Sequence, residues 1–524
     1  MPAALTRPSR RPRGAHAHAA SPPFRCPREG RGGIGERAMK EASGTLSVRI
    51  ESERGPWDHV KVRELSGREA ISQLFSFDLD VVIDEGRELP ADAAPGAEVS
   101  LVFEADGEEI RRVSGMLGPI RDRLEPLAER ATCRLRLVPR AFRLTLVETQ
   151  EIYLDRSVPD ILRSKLERHG LGSEDVELRL LESYPEREFV VQYGESDLAF
   201  ISRLAEHVGI SFFFEHEGGR DRMVFTDHPS GFRPASGAET VPFRARGEAA
   251  GIFALEVTTD LVPTSYVVQD YNYRAPQLDL TAYASLGSGD GGGVVEYGSH
   301  VKTPEEAGKL AQIRADERLS RQRVYEGKAS RAALSAGRRV TLIEHPRFPE
   351  PEELLLVEVE HEARFPAFKD AGEQSPFYRN AFRAIPARVA YRPPRRTPRP
   401  RISGVVTGIV QPGHGGKTNG VAQLDAEGRY TVQLHFDTAE PGEQRASRPV
   451  RMAQPFSGVG HGMHFPLRPG TEVVVAFANG DPDRPVILGA MFNPLAPSPV
   501  TARNANQSRI TTASGAMLEI SEKR

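Results

Sequence analysis

Short runs in which every second residue is apolar, closed by glycine or proline turns, recur along most of this chain and limit what it can build. Leu46, Val48 and Ile50 alternate with polar residues. The same pattern returns at Phe75, Phe77, Leu79 and Val81, at Val99, Leu101 and Phe103, and at Cys133, Leu135 and Leu137. Strand side chains alternate faces with a period of two, so each run reads as a half-buried β-strand. The 48 glycines and 41 prolines among 524 residues supply turns between such strands and argue against an all-helical protein. A chain of this length has room for roughly three or four domains.

Three helices are expected against this β background. One spans 159–169, with Ile161, Leu162 and Leu166 at helical spacing and Gly170 at its end. The second spans 197–207, with Leu198, Ile201, Leu204 and Val208 on one stripe. The third starts at Thr303-Pro304-Glu305-Glu306, a capping box with proline at the first helical position. Further β-like runs follow at 338–343 and 353–359. Residues 391–400, YRPPRRTPRP, hold four prolines and four arginines and read as an extended linker. Beyond it, five β-like runs at 402–410, 430–436, 448–453, 472–477 and 485–491 suit a small Greek-key barrel such as an OB-fold. Residues 494–524 are polar and too short to fold alone.

Charge separates the first residues from the rest. Positions 1–40 carry +7 and the remainder −10, within a net charge of −3. This leader is rich in Pro, Arg and Gly and poor in aliphatics, so it lacks the apolar surface to offset its ordering entropy. A disordered basic tail, a targeting peptide and upstream sequence joined by a wrong start are the three readings. Arg10-Arg11 lacks the apolar stretch of an export signal, and Met39, just before the first strand, favours the third. The overall balance disfavours a globally basic nucleic-acid binder, and no run of about 18 apolar residues is present. Two cysteines, Cys26 and Cys133, are too few for a disulfide framework, and Cys133 lies on an apolar strand face as a core thiol.

The motifs that invite chemistry fail on context. Gly287 to Gly292 satisfies G-x-G-x-x-G, but a dinucleotide site needs a strand before and a helix after it, and here β-like Val294-Val295 follows. Gly416-Lys417-Thr418 resembles the end of a phosphate-binding loop, but Gln411 stands where its first glycine belongs. His414, His461 and His464 have no cysteine or carboxylate at ligand spacing. No G-x-S-x-G elbow occurs. No catalytic, cofactor-binding or metal residue is therefore assigned, and the chain is not expected to be an enzyme. One segment does stand out: Gly480, Asp481, Pro482, Asp483, Arg484 and Pro485 form a rigid loop between two apolar runs. In it, Arg484 is placed to pair locally with the neighbouring aspartates.

Together these segments resemble the VgrG family, the spike of the bacterial type VI secretion system. The likeness covers roughly 45–520. Its most specific stretch, 430–493, has His435-Phe436-Asp437, Arg451, Phe465-Pro466, Gly470-Thr471-Glu472-Val473 and Gly480 to Pro485 in the family's order. A second stretch, VQYGESDLAFISRLAEHVGISFFFEH at 191–216, together with LVPRAF at 137–142 and SVPDIL at 157–162, is similar to the phage-hub-like region. The resemblance implies a mainly β protein with a few helices. It divides into a leader (1–44), a phage-tail-hub-like region of two barrel-like subdomains with helices (45–390), the linker (391–400), an OB-fold domain (401–493) and a neck opening a needle β-helix (494–524). It further implies a structural homotrimer that caps the Hcp tube hexamer and binds baseplate proteins, a PAAR-type tip protein and effectors, with no nucleic acid and no cofactor. Such a protein assembles in the producing cell's cytoplasm and is then translocated. At 507–524 only the start of the needle is matched, and no effector domain is recognised. The hub of a related contractile phage tail or extracellular injection particle is the alternative, and a hydrolase delivered by such an apparatus is the contrasting class.

Overall fold

The computed structural model describes residues 46–90, 93–123, 131–245, 249–287, 291–365, 376–412, 421–437 and 447–522. The leader with Cys26, the centre of the Gly287–Gly292 segment, His414 and Gly416-Lys417-Thr418 lie outside the described residues.

The alternating runs form one long antiparallel path. Its neighbours are, in order, Leu46–Glu51, Glu98–Ala105, Glu108–Arg123, Thr132–Val138, Ser76–Ile83, Val60–Ala70, Glu352–Arg364, Phe377–Pro386, Arg323–Ala329 and Ile252–Thr259. Arg339–Ile343 branches from Glu352–Arg364 and carries Thr240–Pro242 beside it, making twelve strands. The seam between the two halves pairs Val60–Ala70 with Glu352–Arg364, in register from Glu64↔Arg364 to Ala70↔Glu358. The inward rows are those of the alternation: Phe77, Leu79, Leu101, Phe103, Leu135 and Leu137 are fully buried. Cys133 is 3% exposed, and burial pushes its thiol up to about 11, as suits an inert core residue.

Helix α1 (Val158–Arg168) starts at Ser157, whose hydroxyl accepts from the Asp160 N–H, and is followed by Gly170 at φ 76°. Helix α2 (Asp197–Val208) starts at Ser196 and ends on left-handed Gly209. Ile161, Leu162 and Leu166 of α1 share a core with Phe200, Ile201 and Leu204 of α2 and with the sheet residues above. Helix α3 (Pro304–Leu319) packs on a small sheet of Ala282–Ser285, Ser265–Gln269 and Gly293–Tyr297. Its capping box is half formed. Thr303 accepts from the Glu306 N–H at 3.2 Å, but the Glu306 carboxylate reaches past Thr303 to the Lys302 N–H at 2.7 Å. The Gly287–Gly292 segment joins two strands of this sheet, so no helix N-terminus follows it for a pyrophosphate.

After the linker, Val432–Leu434, Val406–Val410, Glu472–Phe477 and Pro485–Met491 form a four-stranded sheet in that order. The run expected as a strand at 448–453 is not one. Pro449 has no N–H to give a ladder, and the segment makes single bridges instead, Val450 to Tyr430 and Met452 to Ile487. It still closes the barrel, because those partners lie beside or within the two edge strands of the sheet. The backbone bonds are 2.7 Å from Val450 N–H to Tyr430 and from Ala453 N–H to Ile487. Beyond the barrel, Gln507–Thr511 and Met517–Ser521 pair as a hairpin whose Ile510, Met517, Leu518 and Ile520 are exposed.

Residues 391–400 form no helix or strand, and the segment is docked on its neighbours. Tyr391 and Pro393 are buried. Arg392 donates to the carbonyls of Gly209 and Asp227, and Thr397 binds Glu206 at the end of α2 through both its N–H and its hydroxyl. Arg395 meets Glu296 and the Tyr266 hydroxyl on the small sheet. Burial alone would raise the Glu296 carboxyl, but Arg314 and Arg395 hold it down at about 2. The segment is thus a strap tying α2 and the small sheet to the barrel.

Candidate functional site

The family-motif loop lies where the barrel meets the rest of the chain. Its shape follows from its residues. Asn479 and Gly480 both have positive φ, 58° and 73°. Asp481 folds an Asx turn by accepting from the Asp483 N–H at 3.1 Å, and Ala478 N–H closes the loop onto Arg484 at 2.9 Å. Gly480 accepts from the Ile402 N–H, Pro482 is buried, and Pro485 opens the last barrel strand opposite Phe477.

The side chains of this turn reach three other parts of the molecule. The second oxygen of Asp481 receives His300 Nε2 at 2.5 Å and Arg399 Nη1 at 3.0 Å. Asp483 accepts from the Val191 N–H at 2.7 Å, on strand Val190–Ser196. Arg484 does not pair within the loop. It donates at 2.5 Å to Asp270, which also receives the Val301 N–H. The local ion pair expected from sequence is therefore corrected: the turn spends Asp481 on its own backbone and on His300, and Asp483 on Val191, so Arg484 points out to Asp270. His300 itself sits at φ 63°, a left-handed conformation uncommon for a non-glycine residue.

Electrostatics make this contact a pin. Burial opposes the Asp481 charge, but His300 and Arg399 overcome it and hold the carboxyl well below the usual aspartate range. Beneath it runs an apolar joint. Ile152 and Val191 from the two-stranded sheet of Glu148–Tyr153 and Val190–Ser196 belong to the same core as Tyr430, Val432, Val473 and Ile487 of the barrel. Tyr193 meets Phe436 edge-on at 5.0 Å.

A second polar cluster fixes the seam of the large sheet. Arg111 donates to Glu69 at 2.5 Å and to the carbonyls of Ala332 and Leu334 at 3.0 and 2.9 Å. His361 lies 3.3 Å from Glu69 and 2.7 Å from the Tyr378 hydroxyl. Asn380 donates to that same hydroxyl, and burial holds the His361 imidazole below its ordinary range. The side chains of Glu69, Arg111 and His361 are 7% exposed or less.

His300, Asp481 and Asp483 bring ligand atoms within 4.8 Å of one another, the one such group of three among the described residues. The donor set fits a cation poorly. Arg399 places a positive charge on the same Asp481 oxygen, and the Asp483 oxygen already holds an N–H. Of the histidines singled out in the sequence, His461 is exposed and His464 binds the Tyr430 hydroxyl at 2.7 Å. Sequence reasoning found the loop but not its partners His300, Asp270 and Arg399. The one signal it offered was the presence of three charged residues in a turn too rigid to satisfy them all locally.

Comparison with known proteins places these features. Residues 68–366 match the phage tail baseplate hub (GPD) family, and residues 420–492 match the type VI secretion system/phage-baseplate injector OB domain. The type VI secretion system spike proteins VgrG4b and VgrG5 of Pseudomonas aeruginosa are 31% and 32% identical to the chain, each over 86% of it. The chain spans 56% and 57% of their lengths. The E. coli c3393 protein is described as a type VI secretion component with structural similarity to the T4 tail proteins gp27 and gp5. It superposes with a TM-score of 0.61 at 24% identity, covering 85% of this chain and all of its own, a likeness of fold.

Proposed function

Because the chain belongs to the VgrG spike proteins within the phage tail baseplate hub family, we propose that it is a trimeric structural hub that caps the Hcp tube of a type VI secretion system and carries effectors outward when the sheath contracts. The observation that carries this reading is the joint. A hub that transmits thrust has to keep its barrel fixed to its sheet domains, and Asp481, Asp483 and Arg484 tie the barrel to His300, Val191 and Asp270 over a shared apolar core. The clusters described above are spent on structure: each buried charge faces an opposite charge or a backbone group, as a load-bearing part requires rather than a catalytic one. No helix among the described residues is long and apolar enough to cross a membrane. Residues 480–485 serve as the structural pin of the barrel domain (401–493), with 45–390 as the hub, 391–400 as the strap and 494–524 as the neck.

The exposed hairpin at 507–521 supports assembly of copies. Isolated two-stranded hairpins are marginal in water, and the exposed apolar side chains Ile510, Met517, Leu518 and Ile520 need partners, which identical hairpins in a ring supply. Light scattering on the purified chain is expected to give three times the monomer mass, and electron microscopy with Hcp is expected to show the trimer on one end of the tube. A stable monomer that ignores Hcp contradicts the proposal.

A further inference from the structure

A cleft of about 530 Å³ opens beside the pin, between the 182–189 segment, the turns flanking the small sheet, α3 and the barrel. That volume lies in the range of sites for organic ligands, ~300–1,000 Å³, and exceeds what one inorganic anion fills. Eight basic side chains line it against five acidic ones. Most of the basic groups are matched within the chain: Arg274 and Lys302 by Glu188, Lys309 by Glu182, Arg484 by Asp270. Two are not. Half-buried Arg187 has no carboxylate within ion-pair distance among the described residues; Asp483, the anion acting on it most, is held by the Val191 N–H. Burial pulls the Arg187 guanidinium down to about 10, an effect that Asp483 and Glu306 offset only in part. Arg451, an exposed side chain, stacks over the Tyr273 ring at 3.8 Å and has no carboxylate within ion-pair distance among the described residues. Arg392 and Arg448, also on the lining, are matched by Asp316 and Asp155.

An uncompensated guanidinium in a partly dry cleft is costly unless an anion completes it. The lining also offers apolar surface from Phe189 and Ile313 and exposed tyrosines at Tyr271 and Tyr297. We propose that this cleft binds an acidic peptide segment, whose carboxylates pair with Arg187 and Arg451 while its apolar side chains lie along Phe189 and the tyrosines. The inference is independent of the spike reading, because it requires neither trimer nor tube.

Fluorescence anisotropy of the full chain with a labelled peptide of alternating glutamate and leucine tests it. The peptide is expected to bind, to weaken as salt is raised, and to weaken about tenfold or more in Arg187→Gln and in Arg451→Gln. Arg187→Lys and Arg451→Lys are expected to retain more of the binding, and thermal melts confirm that the variants are folded. Absence of binding, equal binding by wild type and both Gln variants, or equal binding of the glutamine-leucine peptide overturns the proposal. So does binding of inorganic pyrophosphate in place of the peptide, which makes the cleft a small-anion site. Loss of binding as copies associate, followed by light scattering, overturns it too, since a second copy then covers the cleft.

Discussion

Replacing Arg111 by alanine is expected to cost about 3–5 kcal/mol of folding stability, because it leaves the Glu69 carboxylate buried at the sheet seam without its counter-charge. Burial alone would raise the Glu69 carboxyl, but Arg111 and the His361 hydrogen bond hold it at about 2. The folded value lies below the unfolded one, so this stabilisation is fully present above about pH 4.5 and is lost as pH falls toward 2. Urea unfolding at neutral pH measures the loss directly. The acid-unfolding midpoint of Arg111→Ala is expected to move to higher pH. The pair Glu69→Gln with Arg111→Met is expected to recover much of the stability, since a matched neutral pair avoids the stranded charge. An Arg111→Ala loss within 1 kcal/mol of zero would mean that the seam does not depend on this cluster.

Changing Asp481 to asparagine is expected to loosen the barrel from the rest of the chain at a cost of about 2 kcal/mol. The value sits below that for a fully buried pair because Arg399 is one-third exposed and keeps some solvation. The amide keeps the shape but not the charge that draws in His300 and Arg399. Calorimetry is expected to resolve a separate, earlier barrel transition, and trypsin is expected to cut the arginine-rich 391–400 strap faster. The effect has a definite sign with pH. The Asp481 carboxyl is held below its ordinary range, so wild type and Asp481→Asn differ most above about pH 4 and converge as pH falls through the folded value. A single coincident transition and unchanged cleavage would show that the apolar joint suffices without the pin.

The strands were legible because a period of two reports directly which face is buried. The runs at 472–477 and 485–491 form strands with those bounds, the helix at 159–169 shifts by one residue at each end, and the helix at 197–207 extends by one at its C-terminal end. The run at 448–453 misled because its apolar pattern is that of a strand while Pro449 forbids a full ladder. The joint was illegible for another reason. Asp481 and His300 are 181 residues apart and Arg484 and Asp270 are 214 apart, and no local rule selects one distant polar partner among many. Proximity in sequence even argued for the wrong pair at Arg484. The strap's prolines explain why it forms neither helix nor strand, but nothing local showed where its arginines dock. Their partners, Asp227, Glu296 and Asp481, lie on three separate elements.

The proposed function is mechanical: the chain would transmit sheath contraction through a barrel fixed to its hub. Its most direct test is secretion of Hcp by a strain in which this gene is the sole spike gene. Deleting the gene is expected to abolish Hcp in the medium, and expressing the intact protein to restore it. Undiminished Hcp secretion in the deletion strain would contradict the account.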